Sequence, residues 1–308
     1  MNARERVKAA LSHQQPDRIP VDFGSTAVTG IHVQIVEKLR DYFGLDKKPV
    51  KVIEPYQMLG EIEEDLVKAL EIDTVQVPGR KNMFGIVQDG WREFRTFWGQ
   101  VVLVPGEFNT RLDENGDLLL YPEGDLSVPP SGKMPKASFF FDAIIRQVPI
   151  DDKNLRVEDN LEEFTEMSDD DIKYWRQKVE KAYATGRAVV AGFGGTAIGD
   201  IALVPAVNLK HPKGIRDVTE WYMSTVMRQD YLHGIFERQT DIAISNMKKI
   251  FAEVGNKIDV VFLCGTDFGT QDTQFCDQGT FRSLYFPYYR KMNDWIHEHT
   301  EWRVFKHS

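Results

Sequence analysis

Asp259-Val-Val-Phe-Leu-Cys-Gly-Thr-Asp-Phe-Gly-Thr-Gln271 decides how the chain is read. After Asp259 its next five residues are an apolar run of the length of one buried strand. The run then stops abruptly in two glycines set around an aspartate. A strand buried on both faces belongs to a parallel sheet covered by helices. The flanking segments agree. Residues 215–254 are helical by pattern, read as two helices broken near Gly234, and 280–300 are helical again. Trp302, Val304 and Phe305 then make a last apolar strand.

The same unit recurs toward the N-terminus. Ala188-Val-Val-Ala-Gly-Phe-Gly-Gly195 is a buried strand running into a glycine-rich turn, preceded by a helix that Ser168 can cap and Gly186 ends. At the front, Asn2 and Glu5 suggest a capping box on a helix that Pro16 stops. A short strand over Arg18–Gly24 follows, then a helix at 31–43, a second from Leu59 to Leu70, and a strand at Asp73–Pro78. This alternation predicts an α/β chain with parallel pairing. From about 80 to 150 it is interrupted. Trp98–Leu112 and Asp117–Tyr121 flank the turn sequence Asp113-Glu-Asn-Gly116, and Pro122, Pro129, Pro130, Gly132 and Pro135 follow. That stretch is expected to be an antiparallel insertion outside the main sheet, within a single domain spanning 1–308.

Composition narrows the function classes. The chain has 308 residues, 42% of them hydrophobic, enough for a substantial core. A net charge of −9 argues against a nucleic-acid partner, because phosphate binding calls for clustered Lys and Arg. No apolar run is long enough to span a membrane and no signal peptide is read. Two cysteines, Cys264 and Cys276, cannot build a disulfide scaffold, which fits reduced thiols in the cytoplasm.

In α/β folds the chemistry collects at the carboxyl ends of parallel strands. Those ends carry Asp22 and Gly24, then Gly194 and Gly195, then Asp267 and Gln271, and finally His307. Asp22 has an equally plain role as a cap, and the glycines as points of close backbone passage. Gly192-Phe-Gly-Gly-Thr-Ala197 fits the loose pattern G-x-G-x-x-A, but no acidic residue closes a strand about 20 residues on, as a dinucleotide site requires.

Asn2-Ala-Arg-Glu-Arg-Val-Lys-Ala-Ala-Leu11 with Pro16-Asp-Arg-Ile-Pro-Val-Asp-Phe-Gly24 resembles the opening of the uroporphyrinogen decarboxylase superfamily. So does Gly265–Gln271 followed by Phe281-Arg-Ser-Leu-Tyr-Phe-Pro-Tyr-Tyr289, and Phe305-Lys-His-Ser308 resembles the start of its His-x-Cys-Gly segment. The resemblance implies a (β/α)8 TIM-barrel type fold. About five of its eight strands are counted here, so further chain is expected after Ser308. An open barrel of that kind is expected to self-associate through its edge strands, as a homo-oligomer.

The superfamily holds two chemistries. The leading expectation is a methyltransferase component acting on a methyl group bound to a corrinoid. The corrinoid is supplied by a carrier protein, and the acceptor is a small-molecule thiol or pterin. Asp22 and Asp267 are then the catalytic candidates, and Gly24, Gly194, Gly195 and Gln271 the substrate- or cofactor-binding ones. His307 would be the first zinc ligand, with cysteine ligands falling past Ser308. The alternative is decarboxylation of uroporphyrinogen in porphyrin biosynthesis. The decarboxylases carry an arginine-rich segment after the first strand, where this chain reads Gly24-Ser-Thr-Ala-Val-Thr-Gly-Ile-His32. A substrate with eight carboxylates needs cationic donors. A non-catalytic, degenerate barrel is the third expectation.

Overall fold

The computed structural model describes residues 1–264 and 266–307, so Gly265 and Ser308, and the thiol of Cys264, fall outside what is described. The chain is a mixed α/β protein that divides into two compact units. The first comprises Met1–Ile144 with Val207–His211, the second Ile145–Ala206 with Pro212–Ser308. Among the described residues no helix is long and apolar enough to cross a membrane.

The first unit opens with α1 (Ala3–Leu11), where the capping box is present: Glu5 N–H donates to Asn2 Oδ1 at 2.9 Å and Asn2 N–H to Glu5 Oε2 at 2.9 Å. The expected strand over Arg18–Gly24 does not form. Pro20 has no N–H to give a ladder, and Val21 donates its own to the Asp73 carboxylate at 2.9 Å. After α2 (Val33–Tyr42) comes a strand that helix-biased reading passed over, β1 (Val50–Glu54), then β2 (Leu59–Gly60), α3 (Glu64–Ala69) and β3 (Thr74–Val77).

The 80–150 stretch is largely antiparallel, as expected. β4 (Arg92–Arg95) pairs antiparallel with β5 (Val101–Val104), and a meander of β6 (Thr110–Leu112), β7 (Leu118–Leu120), β8 (Gly132–Met134) and β9 (Asp142–Ala143) follows. It is not a mere appendage, however. β5 lies parallel to β1, with Val50 opposite Val102, giving the order β2-β1-β5-β4. Val52, Phe84, Val102, Phe108, Leu120 and Phe141 are fully buried in this unit. Each large apolar side chain so buried contributes roughly 1.5–3 kcal/mol.

The second unit follows the expected rhythm. α4 (Asp169–Tyr183) is capped by Ser168 and leads into β10 (Ala188–Ala191). α5 (Val218–Met227) and α6 (Gln229–Val254) precede β11 (Val260–Cys264). A short turn, α7 (Gln278–Thr280), and α8 (Phe286–His299) precede β12 (Arg303–Lys306). β12, β11 and β10 are adjacent and parallel, in register at Val190 with Val260 and Val261 with Val304. The helix break falls at Arg228 (φ −132°, ψ 41°), not at Gly234. Gly234 sits inside α6 because Val157 presses on it: a Cβ there would lie 2.8 Å from Val157 Cγ2. Trp302, fully buried, closes the core against Phe193, Phe251 and Trp295.

Candidate functional site

The loops leaving β10, β11 and β12 come together at the carboxyl ends of those strands. The β10 loop begins with Phe193, whose ring packs on Trp175 and Trp302 and so fixes its exit. Gly194 (φ +74°) and Gly195 (φ +70°) follow, both in the left-handed region. Little surrounds them: no atom lies within 4 Å of a Cβ built on Gly194, and only Phe164 Cδ1, at 3.8 Å, meets one on Gly195. These glycines serve the backbone conformation rather than close passage. The turn is held by buried Gln239, whose Nε2 donates to Gly195 O at 2.9 Å.

A buried hydroxyl network then ties two loops to α8. Thr266 Oγ1 donates to Ile198 O at 2.8 Å and lies 2.7 Å from Tyr289 Oη, while Ile198 N–H donates to that same oxygen at 3.1 Å. Thr266 immediately precedes Asp267, and Ile198 lies two residues before Asp200. The network therefore positions two carboxylates, one per loop. From β12, His307 brings its Nδ1 to 3.8 Å from Asp267 Oδ1, both side chains nearly half exposed. The neighbouring Lys306 is anchored over the Tyr289 ring, 3.9 Å from its centroid, and also faces Phe268 and Phe281.

Asp200 has the distinctive electrostatics. Burial pushes its carboxyl up to about 6; the Asp267 charge adds to the rise and His307 opposes it. Its Oδ1 accepts the Ala202 N–H at 2.9 Å. Tyr222, on α5, stacks on Phe275 at 4.5 Å. Burial first, then Asp267 and Asp200, push its phenol up to about 12. Its buried hydroxyl has no hydrogen-bond partner among the described residues. An unpartnered buried donor costs roughly 1–3 kcal/mol, a penalty that a bound acceptor removes.

The raised Asp200 carboxyl makes stability depend on pH. Below the unfolded value near 4 both states are protonated and there is no penalty. Between about pH 4 and 6 the folded state alone retains the proton, so stability falls as pH rises, by up to about 3 kcal/mol above pH 6. Asp200→Asn should therefore raise the unfolding temperature at about pH 8 and leave it unchanged near pH 3.5. Equal melting curves at both pH values would contradict the burial.

Of the residues singled out from sequence, Gly194, Gly195, Asp267 and His307 share the second unit with Asp200 and Tyr222. Gln271 stands exposed at the tip of a turn closed by Thr270 N–H donating to Thr273 O at 2.6 Å. Asp22 and Gly24 lie in the first unit. Both Asp22 oxygens accept hydroxyls, from Ser25 at 2.7 Å and Thr74 at 2.6 Å, so it caps no helix backbone. Gly24 takes φ +78° with its N–H on Thr29 O at 2.8 Å. Asp200 and Tyr222 were missed. The one signal for Asp200 was its place nine residues past a buried strand that ends in two glycines.

Among the described residues no three His, Cys, Asp or Glu side chains are grouped to hold a metal ion. No protein family, curated protein or solved structure that was compared matches this chain.

Proposed function

We propose that the chain is a methyltransferase component of the superfamily it resembles, with its site at the ends of β10–β12 and its fold belonging to the (β/α)8 type. The observation carrying this reading is the meeting of Asp200, Asp267, His307 and an unpartnered Tyr222 hydroxyl around one loop cluster. Successive helix-linked parallel strands β10, β11 and β12 support the fold assignment.

The corrinoid, on a carrier protein, would supply the methyl group. The acceptor must lose a proton to attack it. Asp200, with a carboxyl near 6, is ionised at neutral pH yet basic enough to take that proton. Tyr222 stays protonated and donates a hydrogen bond that orients the acceptor. Asp267 and His307 lie together beside the pair, 3.8 Å apart. Two carboxylates favour a substrate that yields a proton over one carrying eight negative charges. His307 and Asp267 have no third donor grouped with them among the described residues.

Mixing the protein with methylcobalamin and 2-mercaptoethanol tests this by the change in corrinoid absorbance. Asp200→Asn should slow demethylation by about 100-fold or more. No turnover with thiol or tetrahydropterin acceptors would sink the proposal.

A further inference from the structure

Beside the site lies a cleft of about 680 Å³. That is the size of a small-molecule site. Its walls are the rings of Phe268, Phe281 and Phe286, and its polar groups are Gln274, Gln278 and Arg282 with Cys276 and Asp277. Phe268 is next in sequence to Asp267, and its ring meets Phe281 edge-on at 5.1 Å. Phe281 opens a π-helical turn over Phe281–Tyr285, which stacks its ring on Tyr285 with only 17° between planes. Such wide turns are uncommon and are frequent at functional sites. Phe286, the first residue of α8, is 45% exposed although it borders this apolar space.

The charges in the cleft are not equivalent. Asp277 Oδ1 is already committed to Thr280 N–H at 2.7 Å, as the cap of α7. The Arg282 guanidinium makes no ion pair or hydrogen bond among the described residues, so its fork of donors remains available.

We propose that this cleft binds a planar, ring-bearing small molecule with a single acidic substituent, the rings between Phe281 and Phe286 and the acid on Arg282. This rests on the methyl-transfer reading, and names the chemical class of its small-molecule substrate. Aromatic walls favour a flat π-face over a saturated ring, and a guanidinium favours a carboxylate over an amine.

Isothermal titration calorimetry with 2-naphthoate, 2-naphthylmethylamine and decahydro-2-naphthoate tests it. Naphthoate should bind tightest. Arg282→Gln should weaken naphthoate by about tenfold and remove its advantage over the amine. Phe286→Ala, at an exposed position, should weaken naphthoate several-fold with unchanged melting temperature. Amine binding equal to or tighter than acid, an equal affinity for the saturated acid, or no naphthoate binding at all would overturn the proposal. Calorimetry needs no turnover. Naphthoate bound without methyl transfer defeats only the reaction assigned above, and turnover without naphthoate binding defeats only this inference.

Discussion

Arg216→Met should destabilise the second unit by roughly 3–5 kcal/mol, the cost of leaving a buried carboxylate without its partner. The Arg216 side chain is 1% exposed. Nη1 and Nη2 reach Glu163 Oε1 and Oε2 at 2.7 and 3.1 Å, a two-pronged pair. Nε donates to Lys213 O at 2.6 Å, and Nη2 also to Asp159 O at 2.8 Å. Methionine matches the volume but satisfies none of these acceptors. Glu163, at 12% exposure, would keep its charge with little water to replace the guanidinium. Arg216→Lys should fall between, because an ammonium cannot present the planar fork.

There is an opposing term. Arg146 is half-buried nearby, and burial, then the Arg216 charge, holds its guanidinium down at about 10. Removing Arg216 relieves that repulsion. The relief is the smaller effect, since burial is the first cause of the Arg146 shift and persists. The double substitution Arg216→Met with Glu163→Gln separates the contributions. It should recover a substantial part of the loss, with a coupling energy of about 2 kcal/mol or more in urea unfolding. A single Arg216→Met variant with a wild-type unfolding midpoint would falsify the account.

The sequence was most readable where one requirement dominated. β10 and β11 are largely buried apolar runs, and such runs permit little besides a covered parallel strand. The capping box at Asn2 and the cap at Ser168 were visible because such signals are local in sequence. Arg18–Gly24 misled for a definite reason. Its composition is strand-like, but Pro20 and the side-chain acceptor on Val21 N–H remove the ladder. β1 was hidden because Lys51 and Glu54 break its apolar run, and it becomes a strand by pairing with β5 some fifty residues on. The α5–α6 break was placed at Gly234 on propensity, whereas packing against Val157 demands a glycine within a continuous helix.

The candidate site was half legible for a similar reason. Asp267 and His307 lie at strand ends and could be found by position alone. Asp200 and Tyr222 could not. Their roles come from burial and from neighbours supplied by other loops, and neither is encoded in local spacing. Gln271 shows the converse. A strand-end motif nominated it, yet the Gly269–Gln274 turn carries it out to solvent.

Asp73→Ala should cost the first unit roughly 3–5 kcal/mol, since it removes the one buried anion between two guanidinium groups. Asp73 is 1% exposed. Its Oδ1 receives Arg6 Nη1 at 2.6 Å and Arg18 Nη2 at 3.1 Å; its Oδ2 receives Arg18 Nη1 at 2.8 Å and Val21 N–H at 2.9 Å. Its backbone N–H returns a bond to Val21 O at 2.9 Å. The residue thus ties α1, the irregular Asp17–Gly24 segment and the start of β3 together. Asp17 adds a second anion on Arg6, at 2.6 Å from Nε, but it is 43% exposed and solvent screens it. The opening motif of the chain is therefore explained by architecture: Arg6 and Arg18 converge on a carboxylate that follows α3, and Asp17 flanks Arg6. Asp73→Asn keeps an acceptor for Val21 but turns amide hydrogens toward a guanidinium, so it should lose most of the same stability. Asp17→Asn should lose only a small fraction. Urea unfolding of the three variants gives the ordering, and an Asp17→Asn loss as large as that of Asp73→Ala would place the anchor on the wrong carboxylate.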